Sequence, residues 1–76
     1  MRKITVYSTN NCIQCKMTEK FLKAHNVQFS EKNINQNPQY IDQLKSEGFM
    51  AMPVVKATGI KAFSGFRPDK LNQLAV

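Results

Sequence analysis

Four short segments of the chain predict β-strands, and apolar and polar residues alternate in the first of them and at the start of the second. In the first segment Ile4 and Val6 share one face of the strand, and Tyr7 lies on the other. The second segment alternates at Val27 and Phe29 and then loses its pattern. The last two segments flank a turn-forming Thr-Gly pair and predict an antiparallel hairpin. The predicted strands are residues 2–8, 27–34, 53–56 and 60–63, with the turn at Thr58-Gly59.

Three other segments carry apolar residues at helical spacing. The first predicted helix has Asn10 or Asn11 as its N-cap, which leaves Cys12 in the first turn. It ends at His25-Asn26, because Asn tolerates the left-handed conformation of a C-terminal cap. His25 itself is predicted to be a bystander in the last turn rather than a catalytic base. The predicted buried stripe of this helix is Ile13, Met17, Phe21 and Leu22.

The second and third helices are marked by proline and glycine. Asn37-Pro38 predicts the start of the second helix, since proline is favoured at the first helical position. Gly48 predicts its end, with Phe49 placed to contact Leu44 as in a Schellman motif. The third helix is predicted to begin within residues 66–69. Its proline is Pro68, and its inward side chains are Leu71 and Leu74.

The resulting order is β-α-β-α-β-β-α. Its first three elements can form a right-handed parallel crossover, and its last two strands pair as a hairpin. This order predicts an α/β fold with a central four-stranded mixed sheet and three helices, the minimal thioredoxin arrangement. The length predicts one domain, residues 1–76.

Cys12 and Cys15 are the two cysteines of the chain, and they lie where the first predicted strand passes into the first helix. A C-x-x-C in this position is typical of a thioredoxin-like redox dithiol. Unpaired N–H groups and the positive end of the helix dipole favour a thiolate at a helix N-terminus. We therefore expect Cys12 to be the nucleophile and Cys15, about one turn further along, to resolve mixed disulfides. Lys16 is a candidate for tuning the thiol pKa.

Three other readings of the cysteine pair remain open. A structural disulfide across so short a loop would remove little chain entropy. A zinc site needs four ligands, and His25 is the one other soft ligand, so a metal or iron–sulfur module would need cysteines from two copies of the chain. The two cysteines could also be unrelated buried residues.

The composition is that of a globular protein with a formal net charge of +6. The basic residues are scattered, and no basic run is interleaved with aromatics, so a nucleic-acid-binding domain is disfavoured. The charge is instead expected to steer acidic partners toward the protein. No apolar run approaches the roughly 20 residues needed to span a bilayer, and none follows Met1-Arg2-Lys3 as a signal peptide would require. We expect a cytoplasmic monomer that binds neither membrane nor nucleic acid.

Four segments of the chain carry a more specific resemblance, which covers essentially its full length. Together they resemble the NrdH redoxins, small glutaredoxin-like proteins that behave functionally like thioredoxins. The last of the four is the most specific. The segments are Cys12-Ile13-Gln14-Cys15-Lys16-Met17-Thr18, Gly48-Phe49, Met52-Pro53-Val54-Val55 and Ser64-Gly65-Phe66-Arg67-Pro68-Asp69.

The resemblance implies roles for the site residues. Cys12 is the attacking thiol and Cys15 resolves. Pro53 is a cis-proline facing the dithiol, and the Met52 backbone is free to pair with an extended peptide. Residues 64–68 tie down the loop before the last helix. Without the resemblance Pro53 would be expected to be trans, because only about 5–6% of X–Pro bonds in folded proteins are cis.

The same segments separate the chain from ordinary glutaredoxins, which usually carry a Tyr inside the motif and a Gly-Gly followed by an acidic pair that holds glutathione. Here Gln14 lies in the motif, and Phe66 and Arg67 should close the glutathione groove. The resemblance implies reduction by a thioredoxin reductase, with NADPH used indirectly. It also implies electron donation to a class Ib ribonucleotide reductase, at a C-terminal cysteine pair of that enzyme. No bound cofactor is expected beyond a redox-active Cys12–Cys15 disulfide.

Two departures from the family pattern bear on these expectations. Phe63 stands where the family often has Trp, which keeps an aromatic body and loses an N–H donor. Asn35 and Gln36 stand where acidic residues are common, which puts a charged contact with the reductase there in doubt. The alternative enzyme is a glutathione-dependent glutaredoxin.

Overall fold

Four strands and three helices follow one another in the predicted order in the computed structural model, which describes residues 3–74. The strands form one sheet in the order β2-β1-β3-β4, with β1 parallel to β2 and antiparallel to β3, and β3 antiparallel to β4. The predicted fold is confirmed. No helix in the described part is long and apolar enough to cross a membrane. The bounds are β1 Ile4–Ser8, α1 Ile13–Ala24, β2 Ser30–Asn33, α2 Gln39–Ser46, β3 Val54–Ala57, β4 Ile60–Ser64 and α3 Pro68–Leu74.

Both faces of the sheet are covered, which explains why β1 is apolar on each side. Ile4 and Val6 pack with Leu22 of α1 and Leu71 of α3 on one face. On the opposite face Tyr7 packs against Leu44 of α2, in a cluster that also contains Val54. Burial of each such aliphatic side chain contributes about 1.5–3 kcal/mol. The sheet is therefore a rigid layer held from two sides, and the loops at its edge rest on it.

The C-terminal ends of α1 and α2 have the predicted caps, whereas Pro38, predicted as the first residue of the second helix, is the N-cap of α2. Asn26 follows α1 with φ 57° and Gly48 follows α2 with φ 93°. In α2 the N–H of Phe49 donates to Leu44 O at 2.9 Å and that of Gly48 to Lys45 O at 3.0 Å, the two bonds of a Schellman motif. The same two hydrogen bonds end α1, where the N–H of Asn26 donates to Lys23 O and that of Val27 donates to Leu22 O.

The predicted buried stripe of α1 is partly wrong. Ile13 is 75% exposed and Met17 is 43% exposed. Leu22 is buried as predicted and Phe21 is half-buried. The other buried positions of the helix are Cys15 and Thr18, so near its start a small sulfur-bearing residue and a threonine are buried in place of the larger apolar side chains.

Several predicted boundaries also change. Cys12, not Asn10 or Asn11, is the N-cap of α1, since Asn11 has φ 58° and turns the chain one residue before the helix. The second strand is shorter than predicted, and Val27 and Phe29 pack against the core before it begins. The predicted start of the first strand at residue 2 lies outside the described residues.

Candidate active site

The cysteine pair forms a disulfide at the start of α1. Cys12 is extended, with φ −110° and ψ 105°, and its Sγ accepts the N–H of Cys15 at 3.1 Å. The Cα atoms of the two cysteines are 5.2 Å apart. The sulfur of Cys12 therefore accepts a hydrogen bond from an N–H group in the first turn of α1, where N–H groups have no partner within the helix. A thiolate at Cys12 would have this hydrogen-bond donor already in place.

Burial distinguishes the two sulfurs. Cys12 is half-buried, whereas Cys15 is 2% exposed. A thiolate from another molecule can therefore reach Cys12 much more easily than Cys15. The first turn of α1 contains no acidic residue that would oppose a negative sulfur, and exposed Lys16 follows the pair directly.

The loop before β3 faces the disulfide. Its Met52–Pro53 peptide bond is cis, as the family resemblance implied and as sequence statistics alone did not. Pro53 is buried, and the carbonyl oxygen of Met52 lies 3.9 Å from Cys12 Sγ. The structure thus places the cis-proline beside the more accessible of the two sulfurs.

Residues 64–68 join the proline loop and the cysteine motif. The N–H of Gly65 donates to Pro53 O at 2.8 Å, and the N–H of Phe66 donates to Gln14 Oε1 at 3.3 Å. Gly65 has φ 81°, a conformation that a glycine adopts without penalty. Arg67 lies outside this pair of contacts, in an exposed ion pair with Asp69 at 3.3 Å.

The loop that follows β2 holds the segment before Cys12 in place. The sequence did not predict these contacts. Asn35 Oδ1 accepts the hydroxyl of Thr9 at 2.6 Å and the N–H of Asn10 at 2.7 Å. Asn33 Nδ2 donates to Asn10 Oδ1 at 3.1 Å. Because β1 and β2 are parallel, both loops leave the same edge of the sheet. Asn35, treated above only as a departure in charge, therefore positions the approach to the motif.

A cavity of about 470 Å³ opens beside Cys15, lined also by Ser8, Glu19 and Glu31. Burial and then the hydrogen bond and like charge of Glu31 raise the pKa of Glu19 to about 7, with Lys23 acting in the opposite direction. The hydroxyl of buried Ser8 donates to Glu31 Oε2 at 2.9 Å. The sequence did not predict this carboxyl pair either, because Glu19 of α1 and Glu31 of β2 are brought together only by the fold.

Large apolar side chains are exposed near the motif and elsewhere. Ile13 and Met17 form one exposed stripe next to Cys12, and Met50 is 81% exposed in the loop that leads to the cis-proline. Phe63, in contrast, is buried in the core. Within residues 3–74 no three His, Cys, Asp or Glu side chains are grouped so that they could hold a metal ion.

This fold, with a disulfide in a C-x-x-C at the start of a helix and a cis-proline beside it, defines a thiol–disulfide oxidoreductase of the thioredoxin-fold class. The glutaredoxin family model matches residues 4–60. The glutaredoxin-like protein NrdH of Lactococcus lactis subsp. cremoris is 47% identical over 95% of this chain and 99% of its own length. The Escherichia coli protein of that name is 38% identical over 95% of this chain and 88% of its own.

A solved structure agrees with the sequence relatives. NrdH-redoxin from Escherichia coli, described as a glutaredoxin-like protein with a thioredoxin-like activity profile, superposes with a TM-score of 0.90. The two are 36% identical over 95% of this chain and 93% of that one. The chain belongs to the glutaredoxin family and, within it, to the NrdH redoxins.

Proposed function

We propose that the protein is a cytoplasmic electron carrier that is reduced by NADPH-dependent thioredoxin reductase and donates electrons to class Ib ribonucleotide reductase. The observation that supports this most is the loop at residues 64–68, which is hydrogen-bonded to both Pro53 and Gln14. Glutaredoxins bind glutathione where this loop lies. We infer that a loop fixed in that way leaves the disulfide open to a protein partner and disfavours glutathione.

Reduction begins with a partner thiolate. It attacks Cys12 Sγ, the accessible sulfur, and the bond between the two protein sulfurs breaks. Cys15 leaves as a thiolate and takes up a proton. A second partner thiol then attacks the mixed disulfide and releases Cys12 as a thiolate, which the N–H of Cys15 and the helix N-terminus stabilise. Two electrons have passed to the protein.

Electron donation follows the same path in reverse. The Cys12 thiolate attacks a disulfide of the target and releases one target thiolate. Cys15 then loses its proton and attacks Cys12 Sγ, which frees the second target sulfur and restores the internal disulfide. We propose that Met52 and Pro53 hold the extended target peptide during this exchange, since they lie beside the reacting sulfur.

The test compares two reducing systems under one set of conditions. Reduction of a protein disulfide is followed by NADPH consumption, once with thioredoxin reductase and once with glutathione and glutathione reductase. We expect turnover with thioredoxin reductase alone. Cys12→Ser is the inactive control in both systems. Turnover with glutathione alone would make the protein a glutathione-dependent glutaredoxin, and activity with neither system would overturn the electron-carrier function.

Ribonucleotide reduction is the second stage of the test. A class Ib ribonucleotide reductase supplied with this protein, thioredoxin reductase and NADPH is expected to form deoxyribonucleotide. Removal of the C-terminal cysteine pair of the ribonucleotide reductase should abolish turnover. If turnover persists without that pair, the proposed point of electron entry is wrong.

A further inference from the structure

The resolving cysteine needs a proton partner. Cys15 must lose a proton when it attacks the mixed disulfide and gain one when the internal disulfide opens. It is 2% exposed, so bulk water has poor access to its sulfur. A cavity of about 470 Å³ lies beside it and offers a route for a proton to this sulfur.

Glu19 lies on the same cavity. It follows Cys15 by four residues on α1, and side chains at i and i+4 are neighbours on a helix surface. Their Cβ atoms in such a pair are about 5–6 Å apart. Glu19 and Cys15 are therefore neighbours on α1 that share one cavity, across which a proton can pass.

Glu31 holds Glu19 in the form that can carry a proton. Glu31 lies on β2 opposite Val6 and reaches across to the cavity, where it pairs with Glu19. One of its oxygens accepts the hydroxyl of Ser8 at 2.9 Å, and Ser8 is buried. That bond holds the Glu31 carboxyl beside Glu19, where its hydrogen bond and like charge add to burial in raising the pKa of Glu19.

Charged and polar groups face Glu19 from α1, β1 and β2. Lys16 lines the same cavity from α1, and Lys23 acts on Glu19 from the next turn of that helix. From β1 the neighbouring polar group is Ser8, and from β2 it is Glu31. Glu19 is the carboxyl that both lines the cavity and neighbours Cys15 at i and i+4 on α1, so it is the group suited to exchange a proton with that sulfur.

We propose that Glu19, paired with Glu31, is the acid and base that exchanges a proton with Cys15. In the resolving step the Cys15 S–H proton passes to the Glu19 carboxylate while the sulfur attacks Cys12 Sγ. The bond between Cys12 and the target sulfur breaks, and the target leaves as a thiolate. In the reducing step Glu19 returns a proton to the departing Cys15 thiolate. This inference rests on the order of attack proposed above.

The test separates the two thiols in one reaction. The reduced protein is mixed with an aromatic disulfide, dithiobis(nitrobenzoate), whose released thiolate is coloured. Attack by Cys12 releases one equivalent, and resolution by Cys15 releases the second. Cys15→Ser should release only the first equivalent, which assigns the phases. Absence of a first phase attributable to Cys12 would overturn the proposed order of attack, independently of Glu19.

The role of Glu19 is tested by the pH dependence of the rate of the second phase. In the unaltered protein we expect its rate to rise with pH and to flatten above about 7, where Glu19 is ionised. In Glu19→Gln the rate should instead keep rising by about tenfold per pH unit, as the thiolate fraction alone requires. At pH 7 it should be roughly tenfold slower, less than the 10²–10⁴-fold of a fully aligned general base because the proton can cross the cavity through water.

Two further variants sharpen the result. Glu31→Gln removes the charge and hydrogen bond that favour the protonated form of Glu19, so the flattening should move to lower pH. Glu47→Gln is the matched control, since Glu47 lies at the end of α2 on the other side of the sheet and pairs with Lys56 at 2.6 Å. It should leave both phases unchanged. Identical profiles for Glu19→Gln and the unaltered protein would overturn the inference.

Discussion

Replacing Gly65 by alanine tests how the loop before α3 is held. Gly65 has φ +81°, and a Cβ built there would meet Gln14 Oε1 at 3.7 Å, an ordinary contact. The penalty is therefore the left-handed backbone alone, about 1–2 kcal/mol for an L-residue. Gly59, in the turn between β3 and β4, is a matched control, because it has φ +80° and no atom within 4 Å of the added Cβ.

We expect the two substitutions to lower the free energy of unfolding equally, by about 1–2 kcal/mol. For a domain of this length that is a fall in Tm of about 4–16 °C, measured by circular dichroism on the oxidised protein. Disulfide exchange at Cys12 should change in Gly65→Ala alone, because a shift of the backbone at residue 65 disturbs the hydrogen bond from its N–H to Pro53 O, in the loop beside the Cys12 sulfur. A loss several kcal/mol larger than that of Gly59→Ala would mean that Gln14 cannot yield, and no loss at all would refute the left-handed conformation.

Three other predictions concern the site and its charges. Cys15→Ser should accumulate a stable mixed disulfide with a target peptide, whereas Cys12→Ser should accumulate none, as mass spectrometry would show; the reverse result would exchange their roles. Lys16→Glu should slow attack on an acidic disulfide peptide and weaken the salt dependence of the rate; an unchanged rate would remove Lys16 from steering. Because folding raises the pKa of Glu19 from 4.5 to about 7, the folded protein binds more protons between these values, and the free energy of unfolding should fall as pH rises through this window relative to Glu19→Gln. Parallel denaturation curves for the two proteins across that window would contradict this.

The fold could be predicted from the sequence because local signals and packing agree in most elements. The alternation around Val6, the left-handed caps at Asn26 and Gly48, and Pro68 at the start of α3 each correspond to the observed structure. The buried stripe of α1 could not be predicted from apolar spacing alone. Thr18 is completely buried, and a pattern that counts only large apolar residues does not detect it.

Some residues of the candidate site could likewise be predicted from the sequence, and others could not. Cys12 and Cys15 are separated by two residues in the sequence and lie at a recognisable strand-to-helix junction, so their spacing identifies them. The contacts of Asn35 and Glu31 depend on the register of β1 against β2, which no local pattern specifies. The cis peptide before Pro53 is a minority state for which the chain carries no local signal, and only the family resemblance predicted it.

The Cys12–Cys15 bond closes a ring with only two residues between its ends. Because the ring is so small, opening it adds little conformational freedom to the chain. The core clusters described on the two faces of the sheet contain neither Cys12 nor Cys15. The oxidised and reduced forms should therefore present nearly the same outline to a partner. A donor and an acceptor of electrons must then tell the two forms apart at the sulfur atoms themselves, and each encounter can end without a conformational change that would delay the next.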